Sequence, residues 1–155
     1  MSLFNLTDLD ASLPRNARLL GLDPGARTIG LALSDVRRVL ASPYGTMKRG
    51  KLADNAAEIM GIAKREGVGG LLVGLPLQMD GTLGPAAQAA RDWTFAMMEA
   101  TGLPAAMWDE RLSTAEVTRS LIEQGASRAK RAAVVDKMAA AVILQAGLDF
   151  VRARE

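Results

Sequence analysis

Four carboxylates stand where a charge is hard to place. Asp23 closes the apolar run Leu19-Leu20-Gly21-Leu22 and precedes Pro24-Gly25. Asp109 and Glu110 follow the apolar stretch Ala105–Trp108, and Asp136 lies in a terminal segment whose only polar residues between Ala132 and Leu148 are Asp136, Lys137 and Gln145. Each has a plain structural reading. Asp before Pro-Gly starts a turn, an acidic pair before a helix is solvated, and an acid in a helix's first turn contributes ~0.3–1 kcal/mol. Together they suggest more. Ligands of α/β sheets bind at the carboxyl ends of strands, where Asp23, the Asp109-Glu110 pair and the start of a helix bearing Asp136 can converge. Gathered carboxylates repel unless a cation lies between them. Two ions ~3.5–4 Å apart could activate a water and stabilise the leaving oxygen of a phosphodiester.

Composition narrows the chemistry. The 155 residues contain neither His nor Cys. This excludes a His general base, a Ser–His triad, a Cys nucleophile, disulfides and zinc held by imidazole or thiolate. Mg²⁺ or Mn²⁺ held by oxygens is the natural cation. The length and the 49% hydrophobic content suit one domain with a full core. Aromatics make up 4%, too few for a platform of rings stacking on bases. The net charge of +2 says little about nucleic acid, so local clusters must decide. The start of the chain resembles neither a signal nor a transit peptide, and no apolar run approaches a membrane span. A cytoplasmic protein with no membrane partner is expected.

The elements that must position these acids follow from periodicity. Residues 1–17 read as a loose leader before a domain spanning 18–151. Arg18–Asp23 and Thr28–Ser34 read as an antiparallel hairpin, and Val39–Thr46, broken by Pro43, as an edge strand. Apolar spacings of three and four predict a helix from Lys51 to Arg65. Leu71–Leu75 reads as a strand buried on both faces, Pro85–Thr101 as a helix and Ala105–Trp108 as a strand. Ser113-Thr114-Ala115-Glu116 is a capping box opening a helix to Gln124. Ser127–Arg131 reads as a basic connector to a last, buried helix, Ala132–Val151. The order β-β-β-α-β-α-β-α-α predicts an α/β domain with a mixed sheet. The turn after Asp23 also fits a phosphate loop of the sugar-kinase and actin type, but such ATPases need a second domain for which 155 residues leave no room.

Four segments, LLGLDPGARTIGLALSD, LLVGLPLQMDGTLG, WDERLSTAEV and VVDKMAAAVILQ, occur here in the order in which they occur in the YqgF/RuvX proteins. The chain resembles that family from about Arg18 to Phe150. The resemblance implies an RNase H-like fold: a five-stranded mixed sheet, its first three strands antiparallel, flanked by helices. It also implies a Holliday-junction-resolvase-like, metal-dependent nuclease acting in 5′-end maturation of pre-16S rRNA. The family's site acids fall on Asp23, Glu110 and Asp136, as catalytic residues and metal ligands, with Asp109 in reserve.

Basic residues beside these acids would hold phosphates. Arg27 follows the first acid, Arg111 follows Glu110, and Arg128, Lys130 and Arg131 precede Asp136. The expected partner is nucleic acid, pre-16S rRNA or branched DNA, bound by a monomer or homodimer. A Holliday-junction resolvase and a non-catalytic ribosome-assembly factor on the same fold are the alternatives. Loop 77–84 and residues 1–17 have no assigned role.

Overall fold

A computed structural model describes residues 3–112 and 128–154, with side chains described for 3–112 and 137–154. The predicted helix over 113–124 lies outside the described residues. Five strands form one sheet in the order β3-β2-β1-β4-β5: β1 (Arg18–Pro24), β2 (Thr28–Ser34), β3 (Ala41–Lys48), β4 (Val68–Leu75) and β5 (Ala105–Asp109). β1–β2 and β2–β3 pair antiparallel, β1–β4 and β4–β5 parallel, so the expected mixed sheet is the one found. Among the described residues four α-helices accompany it: α1 (Leu6–Ser12), α2 (Leu52–Glu66), α3 (Pro85–Thr101) and α4 (Arg128–Arg152).

Strand alternation sorts two cores. On one face Leu20, Leu22, Ile29, Leu71 and Val73 meet Ile59 and Ile62 of α2 and Trp93 and Met97 of α3. On the other, Leu19, Ala32 and Leu72 meet Ala139, Ala140, Ile143 and Leu144 of α4. Both tryptophans are core residues, as Trp108 packs edge-on against Phe150 at 5.4 Å between ring centroids. Gly67 and Gly102 end α2 and α3 in left-handed caps that a side chain would strain.

The leader is not loose. Asn5 caps α1, its side-chain oxygen accepting from Asp8 N–H at 2.8 Å, and Leu6 and Leu9 are buried in the α4-side core. Arg38 in the β2–β3 turn donates to Asp10 Oδ1 and to the Ala17 carbonyl, each at 2.6 Å, and Phe4 bridges to β5. The two leucines bury enough surface to order a helix too short to stand alone. Several boundaries also differ from the reading by sequence. β4 starts at Val68 because Val68 pairs with Arg18. β3 runs on to Lys48 because Lys48 pairs with Thr28. The basic connector is the first turn of α4, since no Gly or Pro between 128 and 131 prevents the helix from starting there.

Candidate active site

The carboxyl ends of β1, β4 and β5 open into one cavity of about 390 Å³, lined by Asp23, Gly25, Arg49, Gly74 and Glu110 and roofed by Ala86, Ala89 and Ala90 of α3. Asp23 is the penultimate residue of β1, 8% exposed. Alternation turns it to the face of Leu19 and Gly21, under α4. Glu110 opens a single 3-10 turn, Glu110–Leu112, directly after β5. Its carboxylate reaches sideways to β4, because a Cβ built on Gly74 would lie 2.8 Å from Glu110 Oε1 and 3.0 Å from Ile143 Cδ1. Glycine at 74 leaves the space in which that carboxylate sits.

The third predicted acid is placed by backbone alone. Helix α4 runs antiparallel to β1. Gln145 bonds Val39 and Ala41 at the far end of the sheet, while Ala140 lies over Gly21 and Ile143 over Gly74. The N-terminal half of α4 therefore heads for the cavity end, with Asp136 two turns before Ile143 on the same stripe, ~10 Å along the axis. Asp136 sits deeper in its helix than the first turn expected for it, because the helix begins at Arg128. Its side chain, and those of Arg128, Lys130 and Arg131, lie outside the described residues.

The other predicted contacts are divided. Arg27 is exposed in the β1–β2 turn. Arg111 is committed within the protein. Its Nε lies 3.0 and 3.1 Å from the two Asp109 carboxylate oxygens, its Nη2 donates to Asp109 Oδ2 at 2.7 Å, and its Nη1 to the Met79 carbonyl at 3.4 Å. The Arg111 guanidinium holds the Asp109 carboxyl below the usual range against the upward push of burial. This clamp also anchors loop 77–84, which is bonded within itself. Thr82 Oγ1 lies 2.7 Å from Asp80 Oδ1, and Gln78 N–H donates to the Thr82 carbonyl at 3.1 Å.

Reading by sequence passed over Arg49. Its Nη1 donates to the Gly25 carbonyl at 2.8 Å and its guanidinium lies 5.9 Å from the Trp93 ring centroid, on the cavity wall. The signal available was the cationic run Lys48-Arg49-Gly50-Lys51.

Asp23 and Glu110, both lining the cavity, offer hard oxygen donors suited to a divalent cation of the Mg²⁺ or Mn²⁺ kind. Among the described residues no group of three possible metal ligands occurs. No helix among them is long and apolar enough to cross a membrane.

Comparison with known proteins agrees with this architecture. The sequence model of a family described as "RuvX: Holliday junction resolvase" matches residues 17–150. A candidate pre-16S rRNA nuclease of Acidiphilium cryptum is 64% identical over 97% of this chain and 96% of its own length. One of Gluconacetobacter diazotrophicus is 61% identical over 96% and 97%. Among solved structures, RuvC of T. thermophilus in complex with Holliday junction substrate matches with a TM-score of 0.53 at 15% identity, covering 89% of this chain and 95% of that one. At that identity the likeness is one of fold.

Proposed function

This chain belongs to the RuvX family, and from that premise we propose that it is a nuclease that hydrolyses phosphodiester bonds in structured nucleic acid, maturing the 5′ end of pre-16S rRNA. The observation that carries the reading is that Asp23 and Glu110 both line one cavity at the strand ends. The names of relatives 64% and 61% identical over nearly the whole chain support the substrate.

The reaction is an in-line displacement at phosphorus: a water oxygen bonds the phosphorus, and the bond to the departing ribose oxygen breaks. Asp23 and Glu110, joined by Asp136, would hold Mg²⁺ or Mn²⁺, which supplies Lewis acidity to the phosphoryl oxygens. The protein's own contribution is position. Asp23 is fixed by burial in β1 between paired strands, and Glu110 by the space over Gly74. The Arg49 guanidinium, clipped to the Gly25 carbonyl, offers its other N–H groups to a phosphate that enters the cavity.

The test is cleavage of pre-16S RNA with Mg²⁺ or Mn²⁺, wild type against Asp23→Asn. The variant is expected to keep the fold and lose cleavage; unchanged cleavage by a pure preparation sinks the assignment. Calorimetric titration with Mn²⁺ gives a second readout, weakened in the same variant. The family description favours one other reading, a resolvase of four-way DNA junctions. That activity needs a dimer with two sites, and symmetric paired nicks in a junction would replace the rRNA assignment.

A further inference from the structure

Four cations gather at the end of the sheet that carries the cavity. Arg27 is exposed in the β1–β2 turn, Lys48 at the last residue of β3 and Lys51 just before α2, while half-buried Arg49 lines the cavity itself. The backbone beneath them is fixed at successive atoms. Arg49 N–H donates to the Arg27 carbonyl at 2.9 Å. Asn55, 1% exposed, donates its side-chain amide to the Lys48 carbonyl at 2.9 Å and accepts from Gly50 N–H at 3.0 Å. A buried amide satisfied at both ends specifies one backbone shape, so these cations stand on a built platform. The ion pairs Arg18–Glu66, Arg38–Asp10 and Arg111–Asp109 involve none of the four. Like charges held on one platform repel, and an anion relieves that repulsion. Lys48 lies two strands over and two residues along from Asp23, roughly 12 Å by strand geometry, a span of a few nucleotides.

We propose that the phosphodiester backbone of the nucleic acid leaves the cavity along this track. Arg49 holds a phosphate at the cavity wall, and Arg27, Lys48 and Lys51 hold phosphates beyond it. The strand thus runs towards the β3 side of the sheet, away from Arg111, whose charge Asp109 already meets. This deepens the nuclease reading and rests on it. Lysine on an edge strand also discourages strand-to-strand association. That role alone predicts aggregation of a Lys48 variant with unaltered nucleic-acid binding.

The experiment is binding of a fluorescein-labelled RNA hairpin to the full chain by anisotropy, without divalent cation, across 50–200 mM salt. Wild type is compared with R27A/K48A/K51A and with a charge-matched control, R15A/R37A/K64A, whose exposed cations lie at the opposite end of the sheet. The slope of log K against log salt is expected to fall in magnitude by about 2–3 in the track variant and to hold in the control, with both variants melting as folded proteins by circular dichroism. A slope equal to wild type in a folded track variant, or an equal loss in the control, overturns the track while leaving the nuclease reading intact. Failure of the wild type to bind RNA overturns both.

Discussion

Gly74 shows what a missing side chain contributes. The carboxylate of Glu110 lies where a Cβ at 74 would stand, with Ile143 closing the other side. Gly74→Ala must push either Glu110 or Ile143 aside. Overpacking of this kind costs about 1–3 kcal/mol, and the charged, cavity-facing group is the easier to move. The variant is therefore expected to melt a few degrees lower and to lose most of its cleavage, read by denaturant unfolding beside the pre-16S assay. A variant with full activity would show that Glu110 needs no such space. At this scale the sequence was partly legible. Asp23 and Glu110, singled out as acids at strand ends, do share a cavity. Gly74 and Arg49 were hidden, because their roles depend on neighbouring segments: the turn after β5 supplies the acid over Gly74, and the β1–β2 turn supplies the carbonyl that orients Arg49.

At the scale of elements, α1 and the Asp109–Arg111 clamp each carry a prediction. Leu9 is fully buried against the α4-side core, so Leu9→Ala is expected to destabilise the protein by about 2–5 kcal/mol in urea; no change would restore the loose leader. The leader's own residues did not reveal α1, because the burial that orders it comes from partners far along the chain. The clamp has a pH signature. Asp109 has a folded pKa below its unfolded value, so its contribution is complete above roughly pH 4 and is lost as pH falls through the lower, folded value. Asp109→Asn removes that contribution. The gap in urea midpoint between wild type and variant, open at pH 7, is expected to close below about pH 4, and a gap unchanged at pH 3 would deny the clamp its role. The capping box at Ser113 falls outside the described residues.

For the whole molecule, strand order followed from simple rules. A short Pro-Gly turn makes β1–β2 antiparallel, and the α2 crossover from β3, which runs with β1, brings β4 in parallel to β1. The Pro43 edge was legible; what could not be read was how the border at β5 ends. Phe4 N–H donates to the Ala105 carbonyl at 3.0 Å and bridges to Ala106, so the chain's own beginning lies along the outer side of β5. At the other border Pro43 removes a donor from β3 and the β2–β3 register slips between Leu31 and Ala32. Neither border presents a clean ladder to another molecule. Extending one sheet into that of a second copy is disfavoured at both borders, so a symmetric pairing for a branched substrate is expected to use other surfaces, with the two cavities oriented by that packing.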